Sequence, residues 1–189
     1  MPRITAASVP EHREAQRRAI LDATRALLTE RPDVEPTFAD VAARAGLGRS
    51  SIYHYFPSRE DLFRAVVVDA LPRWREAVTA ATDAAGTPLD KVVAYADANL
   101  TLVADGEHAV ISSLATFHPR AFSDPWVADM HGRLMDPLLD ALRDADLDAP
   151  EVVAELVTAV VHRASALVEG GADVGVVRDA MRRLLARRP

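Results

Sequence analysis

Apolar residues recur along this chain at intervals of three and four, the spacing that brings side chains onto one face of an α-helix. Ala19, Ile20, Ala23 and Leu27 make one such face and predict a helix over about 11–30. Short helices are predicted over about 38–45 and 49–56, and a longer one from Ser58 that carries Leu62, Phe63, Val66, Val67, Ala70 and Trp74. Pro72 should kink or break it, because proline removes a main-chain donor and its ring crowds the preceding turn. Further helices are predicted from Pro88 to about 105, over 107–117, from Pro125 to about 145 with a kink at Pro137, from about 148 to Gly170, and from Val174 to about Arg187. No alternating pattern of a strand is present, so the fold class is all-α with about nine helices.

The breaks carry their own signals. Thr37-Phe38-Ala39-Asp40, Ser58-Arg59-Glu60-Asp61 and Thr87-Pro88-Leu89-Asp90 place a hydroxyl three residues before a carboxylate, the arrangement that caps a helix start. Gly46 stands where the chain needs a left-handed residue to leave the helix ending at Ala45.

Composition narrows the function classes. Hydrophobic residues are 49% of the 189, enough for a core, and cysteine is absent, which excludes thiol nucleophiles and thiolate metal sites. No run approaches the roughly 18 apolar residues of a membrane helix, so a soluble, cytoplasmic protein without a membrane partner is expected. The formal net charge of −6 is unevenly spread. Residues 1–60 hold 9 Arg against 8 acids, while residues 61–189 hold 13 Lys+Arg against 20 acids. The amino-terminal part is therefore the one able to meet a polyanion.

The two short helices around Gly46 have helix-turn-helix spacing, with Ala42 small enough for close crossing. An ordinary helical corner satisfies that spacing too. At about 100° per residue, Ile52, Tyr55 and Phe56 fall on one side of the second helix. Ser50 and His54 fall opposite, with Ser51 and Tyr53 on the flanks and Arg49 in the first turn. Val41, Ala45 and Leu47 join Ile52, Tyr55 and Phe56 as expected inward residues. The outward face, polar and cationic with small side chains, suits a major groove.

The run Gly46-Leu47-Gly48-Arg49-Ser50-Ser51-Ile52-Tyr53-His54-Tyr55-Phe56-Pro57-Ser58-Arg59-Glu60-Asp61-Leu62-Phe63 closely resembles the DNA-binding module of TetR-type (tetracycline-repressor-like) bacterial transcription regulators. The resemblance covers about residues 13–63. It implies a three-helix DNA-binding domain with an amino-terminal arm over residues 1–57. Residues 58–189 would be a helical ligand-sensing and dimerisation domain. It also implies a homodimer on a pseudo-palindromic operator, released by an unidentified small-molecule effector, usually as a repressor. Carried over by position, Thr37 would touch a phosphate and Arg49 the DNA. Ser50 and Ser51 would sit against bases or backbone, Tyr53 and His54 would contact phosphate and base edge, and Arg59 would grip phosphate. Gly48 departs from the family, which often has a capping Ser there. Arg3, Arg13 and Arg17, with Arg18, are either arm contacts to phosphate or a solvated basic face.

Beyond this module, Trp74, Tyr95, Asn99, Phe117, Trp126 and Met130 are candidate lining of a ligand pocket, with plain core as the alternative for each. Val153, Leu156, Val160 and Leu167, then Val177, Met181 and Leu184, form two apolar stripes. Two such helices per subunit could build an intersubunit four-helix bundle, or complete the monomer core. The scattered histidines His108, His118, His131 and His162 match no ligand spacing, so neither metal nor cofactor is expected. No catalytic residue is found, and enzyme activity is not expected. The competing readings are a helical adaptor or small-molecule-binding protein without DNA binding, and behind them a helical enzyme.

Overall fold

A computed structural model describes residues 9–120 and 125–186, apart from the side chains of Val9, Trp126, Ala128 and His131. The described residues form ten α-helices and a short 3-10 turn, with no strand among them. The helices are α1 (Val9–Glu30), α2 (Phe38–Ala45), α3 (Arg49–Tyr55), α4 (Arg59–Asp83), α5 (Pro88–Ala104), α6 (Glu107–Phe117), α7 (Pro125–Gly132), α8 (Asp136–Asp144), α9 (Pro150–Glu169) and α10 (Val174–Leu185).

Packing groups the chain into two compact units that interleave in sequence. Of the described residues, the first comprises 9–68 and 109–120, the second 69–108 and 125–186. In the first, Ile20, Leu21 and Leu28 of α1, Val41 of α2, Ile52 of α3, Leu62, Phe63 and Val66 of α4 and Leu114 of α6 are all closed to solvent. Burying each such side chain contributes roughly 1.5–3 kcal/mol, which is what holds three short helices that could not persist alone. In the second unit, α5 packs against α8, α9 and α10 around Val92, Ala96, Leu100, Leu138, Leu142, Val157 and Val161.

Two elements differ from expectation. Pro72 does not break α4, which runs unbroken from Arg59 to Asp83. Arg73 Nε donates to Asp69 O at 3.2 Å in the turn where the proline has removed a main-chain donor. The single kinked helix expected from Pro125 is instead α7, a 3-10 turn over Arg133–Met135, and α8. Pro137 lies in the first turn of α8, where an N–H would have no partner within the helix. That division brings the described helices to ten, one more than expected.

Candidate nucleic-acid interface

The site starts with the cap of α2. Thr37 N and Thr37 Oγ1 donate to Asp40 Oδ2 at 3.0 and 2.7 Å, and Asp40 N donates back to Thr37 Oγ1 at 3.2 Å. The Thr37 hydroxyl and then its amide hold the Asp40 carboxyl below the usual carboxylate range. At the far end Gly46 takes φ +69°, and Leu47 N reaches Ala42 O at 2.9 Å to close the helix. The tight turn brings α3 against α2, with Ala42 buried at the crossing.

Recognition helix α3 is anchored as its angular pattern requires. Ile52 is 0% exposed and Phe56, just past its end, is buried, whereas Tyr53 is 49% exposed. Arg49, Ser50 and His54 are exposed and Ser51 is half-buried. Tyr55 is half-buried instead of core, and its hydroxyl donates to Gln16 Oε1 on α1. Ala45 and Leu47 are likewise only half-buried, being at the turn. Gly48 begins α3 with no side-chain cap.

Thr37, Arg49, Tyr53 and Arg59 come together. With Phe38, Pro57 and Ser58 they line one cleft of about 350 Å³. The Tyr53 ring stands edge-on to Phe38 at 4.9 Å between centroids, which fixes its position at the cleft wall. Ser58 Oγ accepts from Asp61 N at 3.1 Å and donates to Asp61 Oδ2 at 2.6 Å, capping α4 so that Arg59 projects from its first turn. Ser50, Ser51 and His54 lie outside this cleft, further around α3. Two cations and the polar tips of Tyr53 and Ser58 give the cleft the donors that an anion such as phosphate requires, and the exposed face of α3 lies beside it.

Arg13 and Arg17 do a local job: their guanidinium carbons lie 6.0 Å from the Tyr55 ring centre and 5.9 Å from that of Phe56, bracing α3 from α1. Arg17 also pairs with Glu14 at 3.7 Å. Arg3 lies outside the described residues. The residues that sequence reasoning missed are Phe38, Pro57 and Ser58, and above all Glu35, whose Oε1 lies 3.0 Å from Arg59 Nη1. Ser58 was legible as a cap only. Nothing in sequence separation signals that residue 35 meets residue 59.

In the second unit the expected pocket residues are not one site. Trp74 Nε1 donates to Asn99 Oδ1 at 2.9 Å and Asn99 Nδ2 to Tyr95 O at 2.8 Å. All three are buried, and their polar atoms are satisfied by one another, as in a packed core. Burial pushes the Tyr95 hydroxyl above its usual range, against the opposing effect of Thr158 and Asn99 beside it. Phe117 belongs to the first unit and is half-buried. The Trp126 side chain lies outside the described residues. Met130 lines an open groove of about 400 Å³ with Pro72, Arg75, Glu76, Thr79, Ala80 and Asp83.

The expected association surface also divides. Leu156 and Leu184 are 63% and 61% exposed, and Leu167, Val152 and Val176 are exposed as well. Val177 and Met181, by contrast, are 8% and 4% exposed and belong to the subunit's own core, with Val153 and Val160 half-buried against it. The stripe of α10 is drawn inward by α5 and α9, so Val177 and Met181 are not surface residues. Among the described residues no group of three or more His, Cys, Asp or Glu is placed to hold a metal, and no helix is long and apolar enough to cross a membrane.

Residues 20–66 match the family model described as bacterial regulatory proteins, tetR family. The HTH-type transcriptional repressor LfrR of Mycolicibacterium smegmatis is 30% identical over 141 residues, which is 74% of this chain and 69% of the relative. The crystal structure of the TetR-like regulator LfrR from Mycobacterium smegmatis in complex with proflavine superposes with a TM-score of 0.71 at 24% identity, over 92% of this chain and 99% of that one. The structure of AibR in complex with isovaleryl coenzyme A and operator DNA gives 0.70 at 18% identity, over 89% and 97%.

Proposed function

Since this chain belongs to the TetR family of bacterial transcriptional regulators, a family of DNA-binding proteins and not of enzymes, we propose that it acts in the cytoplasm as a ligand-responsive repressor. It binds a two-fold-symmetric operator as a homodimer. The observation that carries this reading is α3, a short helix pinned by Ile52 with Arg49, Ser50, Tyr53 and His54 free on its other side. In the assigned roles, Arg49 and Arg59 hold phosphate, Thr37 and Tyr53 complete that seat, and Ser50, Ser51 and His54 approach base edges.

Dimerisation uses the apolar side chains left outside on α9 and α10, Leu156, Leu167 and Leu184 with Val152 and Val176. Large apolar side chains left exposed together on two neighbouring helices favour an association surface. Two copies of α3 would then meet adjacent major grooves about 34 Å apart. Support for a small-molecule effector comes from the ligand complexes of LfrR and AibR and from the groove beside Met130. An effector bound to the second unit lowers operator affinity by favouring a dimer in which the two α3 helices no longer match that spacing.

Selection from random DNA is the test. A two-fold-symmetric consensus is expected. Arg49→Ala and His54→Ala should each weaken binding to it by roughly ten- to a hundredfold, the loss of about 1–3 kcal/mol, without changing the melting temperature. Wild-type binding by both variants would refute the assignment. Binding to a protein with no DNA shift even at low salt would favour the adaptor reading.

A further inference from the structure

The linker between α1 and α2, residues 31–37, leads directly into the Thr37 cap. It is held from two sides. Glu35 Oε1 lies 3.0 Å from Arg59 Nη1 and 2.8 Å from His118 Nε2. Ser113 Oγ on α6 donates to Pro32 O at 2.9 Å. His118 ends α6, its N–H reaching Leu114 O at 2.8 Å, and its ring lies 4.6 Å from that of Phe63. All of these residues belong to the first unit.

Arg59 is one of the two cations of the cleft wall, and nearly half of its side chain is exposed. A guanidinium offers five N–H donors in a fixed fork, so the contact with Glu35 leaves others for a phosphate. The carboxylate nonetheless opposes that use. It attracts the same guanidinium and so holds it back from an approaching phosphate. His118 approaches the same oxygen that Arg59 does, so each takes part of its hydrogen-bonding capacity. Loss of the His118 contact would leave Glu35 to Arg59 alone.

Building on the DNA-binding reading above, we propose that Glu35 is a positioning residue that sets how strongly Arg59 grips the operator backbone. It competes with phosphate for the guanidinium and is itself restrained by His118 at the end of α6. Movement of the end of α6 is thereby converted into a change of grip at the cleft, without any displacement of α3.

The test is equilibrium binding to the duplex that the wild-type protein selects from random DNA, measured across a salt series. Glu35→Gln keeps the side-chain shape and an acceptor oxygen but removes the charge. It should bind about three- to tenfold tighter at low salt, with a salt slope steeper by up to about 0.9, the value of one additional phosphate contact. His118→Phe keeps a ring against Phe63 and removes the donor. It should bind roughly two- to fivefold more weakly, and only while residue 35 is Glu. In an Arg59→Ala background, Glu35→Gln should change neither affinity nor slope. A merely structural linker residue would weaken binding at unchanged slope, whatever stands at position 59. Unchanged or weaker binding by Glu35→Gln, or the same gain in the Arg59→Ala background, overturns the proposal. Should Glu35→Gln fail to fold, Glu35→Asp, which withdraws the carboxylate by one methylene, must show a gain in the same direction. If the wild-type protein selects no duplex at all, it is the DNA-binding reading that falls, and this proposal with it.

Discussion

Gly46 shows how one residue sets the geometry of the interface. Its φ of +69° is a conformation that side chains with a Cβ rarely adopt, and an added Cβ would meet nothing within 4 Å. Any cost of substitution therefore comes from the backbone and not from packing. Gly46→Ala should lower stability by about 1 kcal/mol, with Gly46→Asn closer to wild type because Asn tolerates this region better. Urea denaturation measures the difference, and equal stability of the alanine variant would mean that the turn can relax. Tyr55 makes the opposite point. Its place on the inward side of α3 was legible by angle, but its partial exposure and its hydroxyl's bond to Gln16 were not.

At the scale of the helix, the caps make stability depend on pH. Asp40 and Asp90 each close a capping box, accepting from the hydroxyl and the amide of Thr37 and Thr87, and these bonds hold both carboxyls below the usual carboxylate range. Arg143 does the same for Glu151 at the start of α9. A carboxyl whose value is depressed on folding adds stability above its unfolded value, and that addition is lost as pH falls through the folded one. Unfolding free energy should therefore be steady near neutrality and decline below about pH 5. In the Asp40→Asn, Asp90→Asn double variant the decline should be shallower, as followed by thermal melts across that range. An unaltered pH profile would show that the two boxes do not contribute. In helix α10 the periodicity leaves two readings open, and the packing divides them: α5 and α9 cover Val177 and Met181 and leave Leu184 outside.

For the whole molecule, that division separates two kinds of substitution. Leu156→Glu with Leu184→Glu should leave a folded chain that sediments as a monomer and loses most of its affinity for a two-fold-symmetric duplex. Met181→Ala should instead destabilise the subunit by about 2–5 kcal/mol, because it empties part of the core. Sedimentation and denaturation on the same two variants decide it, and a dimeric, fully active double glutamate variant would move the association surface elsewhere. Packing also assigns α6 after its first turn to the first unit, although it lies some fifty residues beyond α3 in sequence. That assignment is what brings Ser113 and His118 to the linker before α2.

The order of amino acids alone determined the helical class, the places where helices start and stop, and the inward and outward sides of α3. Each of these depends on neighbours within a turn or two, through periodicity, capping hydroxyls and the backbone freedom of Gly46. Tertiary structure alone decided which apolar stripe faces another helix of the same chain, that Trp74, Asn99 and Tyr95 satisfy one another in the core, and that Glu35 meets both Arg59 and His118. Apart from the Asn99–Tyr95 bond within α5, those contacts join residues separated by 24 to 83 positions. No local pattern encodes such pairings, because they exist only once the burial of many distant side chains has brought the helices together.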